Sequence, residues 1–454
     1  MNRTIPTTYG NLTGIPSAIP KFTVFRGVPY AAPPVGERRF RAPAPCEAWA
    51  GARVCDRFPP AAMQPAQEPG AFYEREFFQA GYEVSEDCLY LNIWADLEQK
   101  NQPVLFWIHG GGYSHGFGHE MEFDGDAFCK RGVILVTINY RLGAFGFLAH
   151  PALTARDGHS GNYGLMDQIY ALQWVRENIS AFGGDPENIT IFGQSAGAGS
   201  VQSLMASPLT DGMFHRAIYM SAGAPIGSLG GGLSLSEAEK TGEALCARIG
   251  GDFDALVRMD AAALLREARE VSAGALRFRP CVDGHVLPED AGKVFARGDA
   301  KDESFMIGSV TGDAGIFARD NQNPDEAAQG QTAALAKARI AQNKPGAYVY
   351  HFLRDIPGDD HPGAFHSSEL WYVFGTLQRS HRPFTGLDYD LSLQMIDWWA
   401  NFAKTGDPGG GWTAYTAQSP CINEIGDSAS MVSIKDRPLA DKRSDELWDM
   451  LCRQ

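Results

Sequence analysis

No stretch of this 454-residue chain approaches the roughly 20 apolar residues that cross a bilayer as a helix; the longest runs, 104–108 and 133–136, are far shorter. The N-terminal residues also lack the apolar core of a secretory leader, so a cytoplasmic location is expected. Basic charge is in deficit. Against 54 Asp+Glu there are 39 Lys+Arg, a formal charge of −15, and that field repels phosphate backbones and anionic lipid heads. Nucleic acid is therefore excluded as an expected partner. The 8 cysteines contain no C-x-x-C pair, which argues against a zinc ribbon and against a compact disulfide framework; reduced thiols are expected. There is no H-E-x-x-H, and His115 and His119 lie in a glycine-rich stretch where a helix is not expected, so no metal is called for. The run Gly409-Gly410-Gly411 has no following Lys-Ser/Thr and reads as a turn. No cofactor is implied.

What the chain does have is material for a large core: 44% apolar and 11% aromatic residues against 20% charged. From about residue 100 onward, short β-rich runs alternate with helical patterns, the signature of an α/β fold with a mostly parallel sheet covered on both faces. Strands are expected at 104–108, 133–139, 189–192, 217–220, 305–308 and 347–352. Leu165, Ile169, Leu172, Val175, Ile179 and Phe182 keep a helical period, as do Leu391, Met395, Trp398 and Phe402 ahead of Gly406 and Pro408. Residues 1–100 read as a strand-and-loop lead-in, so the expectation is one domain over 1–454. The segments 227–232 and 319–331, dense in Gly, Asn, Asp and Gln, read as mobile surface loops.

Two segments carry chemistry. The first, Ile189-Thr190-Ile191-Phe192-Gly193-Gln194-Ser195-Ala196-Gly197, runs a strand directly into G-x-S-x-G with small residues after it. This pattern places a serine on a sharp strand-to-helix turn where larger neighbours would collide with backbone. In the second, His109-Gly110-Gly111-Gly112-Tyr113 follows a predicted strand, and side-chain-free residues there let backbone N–H groups point at a developing oxyanion. Acyl transfer needs both parts.

With those segments stand Phe25-Arg26-Gly27-Val28-Pro29-Tyr30, Ser85-Glu86-Asp87-Cys88-Leu89, Asn139-Tyr140-Arg141-Leu142-Gly143 and Ala364-Phe365-His366-Ser367-Ser368-Glu369-Leu370, in this order. In that order and wording the chain resembles the type-B carboxylesterases, the family that includes the cholinesterases, over nearly its whole length. The resemblance implies an α/β-hydrolase fold and ester hydrolysis through an acyl-serine. It implies Ser195 as nucleophile, His366 as general base, and the N–H groups of Gly111, Gly112 and Ala196 as oxyanion hole. The third triad member is the acid. Counting along Gly308-Ser309-Val310-Thr311-Gly312-Asp313 puts it at Asp313, whereas a register set on Gly315 puts Ala314 there and leaves no acid; Asp313 is preferred because the imidazole needs a carboxylate to fix its tautomer.

The chain departs from the family pattern in three places. Residue 194 is Gln where the cholinesterases have Glu, which points to broad uncharged esters. The stretch upstream of Cys88 that would hold its disulfide partner reads Pro60-Ala61-Ala62-Met63-Gln64, without cysteine. The interval between Asp313 and His366 is well short of the family's usual insert, and a reduced roof around 319–345 implies a shallow site that favours short acyl groups. Two further readings belong to the same fold: a non-catalytic binding protein, which would lack Ser195 or His366, and a lipase, for which the aromatic stretch 72–82 would be a lid and not a pocket rim.

Overall fold

A computed structural model describes residues 2–222, 232–272, 277–313 and 324–453. The chain enters through β1 (Arg3–Pro6), β2 (Asn11–Pro16), β3 (Thr23–Pro29) and a short β4 (Ala52–Val54). A small parallel pair, β5 (Ala61–Ala62) and β6 (Val84–Ser85), precedes β7 (Tyr90–Ala95). Then follow β8 (Gln102–Ile108), β9 (Ile134–Ile138), β10 (Gly184–Gln194), β11 (Arg216–Met220), β12 (Ser304–Val310), β13 (Tyr348–Phe352), β14 (Cys421–Ile425) and β15 (Ala429–Ser433). The large sheet has the order β1-β2-β3-β7-β9-β8-β10-β11-β12-β13-β14-β15. Pairing is parallel from β9 through β14 and antiparallel at both flanks. All the strands expected from the sequence are present in this parallel block.

The period-2 alternation of the strands sorts their side chains into two apolar layers. Val104, Phe106, Ile108, Val136, Ile191, Ala217 and Phe305 join one layer, which also holds Leu165, Leu172 and Val175 of the helix Tyr163–Asn178. Leu105, Trp107, Leu135, Phe192, Ile218 and Met306 join the other, with Leu391, Met395, Trp398 and Phe402 of the helix Gly386–Thr405. Burying side chains of this size stabilises by about 1.5–3 kcal/mol each, which explains why a 20-residue helix packs here while its Leu393 stays half exposed on the outer face. That helix starts with a Thr385–Asp388 capping box and stops at Gly406, whose φ of 81° suits a left-handed cap.

Two of the sequence motifs hold the framework together. Arg141 donates from Nε and Nη2 to Asp167, each bond 2.7 Å, and both residues are buried. Glu86 receives Arg39 in the same two-pronged way, and Arg39 also caps the carbonyls of Leu256, Val257 and Met259. Removing one partner of such a pair costs about 3–5 kcal/mol, because the other charge is left buried.

One expectation is corrected. The segment 319–331 was read as a loop, but a helix runs over Pro324–Ala341. Proline is tolerated in a first helical turn, and the Ala, Glu and Gln that follow are strong helix formers; Gln329, polar in the sequence, is buried and donates to Glu424 at 3.2 Å. Residues 319–323, like 227–231 of the other expected loop, lie outside the described residues. Among the described side chains Cys55 and Cys88 are both buried and unpaired, and no helix is long and apolar enough to cross a membrane.

Candidate active site

The carboxyl ends of the parallel strands converge, as they do at ligand sites of open α/β sheets. β10 ends at Gln194, Ser195 follows with φ 55° and ψ −124°, and the helix Ala196–Ala206 begins at once. Such a backbone conformation costs on the order of 1–3 kcal/mol and persists only where its surroundings enforce it. The enforcement is visible. A Cβ on Gly193 would stand 2.5 Å from the Gly197 carbonyl group, and one on Gly197 would stand 2.1 Å from the Ile108 oxygen of β8. The Ser195 N–H donates to Met220 of β11 at 2.8 Å.

The glycine loop after β8 interlocks with this turn. A Cβ on Gly110 would lie 2.7 Å from the Gln194 oxygen, and Gly111 and Gly112 have φ of 95° and 59°. Both lie in the region that favours glycine, and the N–H of Ala196, at the start of a helix, has no intrahelical acceptor. His109 is not part of the reacting surface. Burial pushes it down to about 3, and its ring stacks on Tyr140 with centroids 4.5 Å apart.

Asp313 closes the 3-10 turn Thr311–Asp313 directly after β12, fully buried, and its Oδ2 accepts the Val310 N–H at 2.9 Å. Its Oδ1 lies 2.5 Å from Nδ1 of His366. The two loops are stitched together where Gly312 N–H donates to Ala364 at 2.7 Å. On the far side of His366, Nε2 is 3.2 Å from Nε2 of Gln194. With that amide N–H donating, the imidazole carries its proton on Nδ1, toward Asp313. Ser195 and His366 line the same cavity, but no hydrogen bond joins the Ser195 hydroxyl to the ring.

That cavity measures about 390 Å³ and is walled by Gly110, Gly111, Gly112, Ser195, His366 and an aromatic group from the helix Phe72–Phe77 and just beyond it. The helix acts as a rim. Tyr73 donates its hydroxyl to the His366 carbonyl at 3.2 Å, Phe72 meets Phe365 edge-on at 4.9 Å, and the buried Glu76–Arg382 pair fixes the far end. A second cavity of about 690 Å³ shares Phe77, Glu120 and Phe123 with the first.

Four polar residues near the site went unread from the sequence. Glu369 is fully buried, and burial together with the charge of Asp313 pushes its carboxyl up to about 8, so it stands protonated beside the imidazole-bound aspartate at neutral pH. Ser221, with φ 59° after β11, donates to Glu369 at 3.4 Å. The signal for Glu369 was its place three residues after His366; Ser221 had none. Glu120 and Glu122 follow the glycine loop and line the cavity. They were visible only as two acids flanking Met121.

The chain and its fold both have known relatives. Residues 1–344 and 325–443 match the carboxylesterase family. The chain is 35% identical to a fumonisin B1 esterase of Sphingopyxis macrogoltabida, over 85% of this chain and 79% of that protein. It is 34% identical to the para-nitrobenzyl esterase of Bacillus subtilis (strain 168), over 97% of both. Among solved structures, a PNB esterase superposes with a TM-score of 0.84 at 30% identity, covering 97% of this chain and 99% of that one. The carboxylesterase EST55 of Geobacillus stearothermophilus does so with a TM-score of 0.79 at 33% identity, covering 96% of this chain and 99% of the other.

Proposed function

Because this chain belongs to the carboxylesterase family, with the α/β-hydrolase fold and carboxylic ester hydrolysis that its relatives share, we propose that Ser195 carries the reaction as an acyl-enzyme nucleophile. The observation that carries the reading is the 2.5 Å contact of buried Asp313 with His366, whose ring lines the cavity that also holds the strained Ser195. As the hydroxyl oxygen attacks the ester carbonyl, His366 Nε2 takes its proton, and the Gln194 amide must release that nitrogen first. Asp313 accepts from Nδ1–H throughout and stabilises the imidazolium. The carbonyl oxygen gains negative charge against the N–H groups of Gly111, Gly112 and Ala196. Collapse of the tetrahedral intermediate expels the alcohol, which leaves with the proton from His366. Water then repeats the sequence on the acyl-serine, and the carboxylic acid leaves.

Substrates in this reading are small-molecule esters with short acyl groups, roughly acetyl to butyryl, and bulky alcohols. The alignment with the para-nitrobenzyl esterase spans 498 positions, more than the 454 residues of this chain, so that relative carries segments missing here. The shallow site rests on the short interval between Asp313 and His366, where a reduced roof would leave the cavity open. A buried methylene normally adds about 0.8 kcal/mol of binding, and an open site recovers little of it. The test is kcat/KM for p-nitrophenyl esters from acetyl to octanoyl. The expected profile is flat or falling beyond butyryl, and a steep rise to octanoyl contradicts a shallow acyl site.

A further inference from the structure

We propose that Tyr73, on the rim helix Phe72–Phe77, is a positioning residue for His366: its hydroxyl holds the peptide bond between His366 and Ser367 in the orientation that keeps the imidazole on Asp313. The inference deepens the acyl-serine reading and rests on it for turnover. Residues 365–368 form a tight turn, closed where the Ser368 N–H donates to the Phe365 carbonyl at 2.9 Å. Ser367, third in that turn, has a φ of 80°. A positive φ at this place marks a type II turn, which favours glycine there because an ordinary side chain crowds the backbone. The type I form differs by rotation of the central peptide and suits serine better. Left to local preference, the turn that carries the general base would adopt that other form.

What holds the less favoured form is visible in the carbonyls. Ala364 receives the Gly312 N–H at 2.7 Å, Phe365 receives that of Ser368, and Ser367 receives the Leu370 N–H at 3.1 Å, all from main chain. The carbonyl of His366 differs: among the described residues its donor is the Tyr73 hydroxyl, at 3.2 Å. This oxygen belongs to the peptide whose rotation separates the two turn types. Rotating it would withdraw the acceptor from Tyr73 and change the ψ of His366, on whose backbone the ring stands.

The hydroxyl itself is held in place. Tyr73 stacks on Phe77 with ring centroids 6.2 Å apart and meets Phe365 edge-on at 6.4 Å. The same helix carries Glu76, which receives Arg382 Nε at 2.9 Å and Nη2 at 2.5 Å, and Arg382 also pairs with Asp360 at 2.9 Å. Asp360 and Arg382 stand on either side of His366 in the chain, so the helix is anchored both before and after the general base. Burial, with the charge of Asp313, pushes the Tyr73 phenol up to about 12, and the hydroxyl therefore keeps the proton it donates across the working pH range.

The experiment measures kcat and KM for p-nitrophenyl acetate on the full chain, with Tyr73→Phe made alone and together with Ser367→Gly. Tyr73→Phe keeps the ring and its stacking, and it should lower kcat about tenfold, because an imidazole displaced for part of the time slows the chemistry. Both acyl transfers use His366, so they slow together and KM stays within about twofold. Glycine accepts a positive φ readily, so in the Ser367→Gly background the loss caused by Tyr73→Phe should shrink to about twofold or less. A spectroscopic reading that needs no turnover is taken on the Ser195→Ala protein, where the His366 Nδ1–H bonded to Asp313 gives a low-field proton resonance. That resonance should broaden or vanish with Tyr73→Phe and return when Ser367→Gly is added. Wild-type kcat in Tyr73→Phe, a loss confined to KM, a loss undiminished by Ser367→Gly, or an unchanged resonance overturns the proposal and leaves Tyr73 to packing or substrate contact. Failure of the acyl-serine reading shows separately, as ester turnover that survives Ser195→Ala.

Discussion

The two halves of the site are built by different physics. The half formed by the glycine loop after β8 and the turn after β10 is an arrangement of backbone: Gly110, Gly193 and Gly197 are needed because a Cβ would strike main-chain atoms at 2.7, 2.5 and 2.1 Å. The half that holds His366 is an arrangement of buried polar groups, in which Ser221 and Asp313 follow the ends of β11 and β12 and Glu369 stands just before the short helix Leu370–Val373. The first half can be broken by adding a methyl group and the second by moving a proton. Steric specification is local and leaves glycines in the sequence, whereas electrostatic specification is collective and leaves only ordinary polar residues.

The largest effect is expected where the electrostatic half meets the chemistry. Asp313→Asn keeps size and an acceptor for the Val310 N–H but favours the wrong imidazole tautomer, so kcat should fall by about 10³–10⁴ with little change in Tm. An Asp313→Asn protein within tenfold of wild type would move the acid elsewhere. In the steric half, Gly197→Ala should damage rate and stability together, lowering kcat by roughly 10²-fold or more and Tm by several degrees, since β8 and the Ser195 turn must separate. A Gly197→Ala protein with wild-type Tm would show that the approach of these strands is not tight. The comparison thus predicts that one variant separates activity from stability and the other does not.

A smaller effect sharpens the same contrast. Glu369 has a folded-state pKa of about 8, above the 4.5 of an ordinary glutamate, so its contribution to stability is complete below about pH 4.5 and is lost as the pH rises toward 8. Thermal unfolding measured from pH 5 to pH 9 should therefore show a decline that Glu369→Gln reduces, by about 1–3 kcal/mol at the alkaline end. A decline identical in both proteins would assign it to other groups, Glu120 and Glu122 among them.

The same division explains what could be read from the sequence. The parallel strands were legible because alternating apolar residues face two layers, and Gly193-Gln194-Ser195-Ala196-Gly197 was legible because its steric demands fall on neighbouring positions. Asp313 was harder. One count gave Asp313 and another Ala314, and only the three-dimensional path of the chain brings the Asp313 carboxylate onto His366. The position of Glu369 was legible three residues after His366, but its protonation and that of the Glu120–Glu122 pair were not, since these follow from burial by residues far away in the chain; Ser221 left no signal. The loop expected at 319–331 failed for the opposite reason, local polarity being weighed above helix propensity from Pro324 onward.

The account stands on Ser195 being the nucleophile, and covalent labelling tests that most directly. Incubation with a chromogenic organophosphate, followed by peptide mass analysis and residual activity, should give one adduct per chain. That adduct should lie on Ser195, with activity lost in proportion to labelling and no adduct on the Ser195→Ala protein. An adduct on another serine, or a chain labelled at Ser195 that still hydrolyses esters at the wild-type rate, would contradict it.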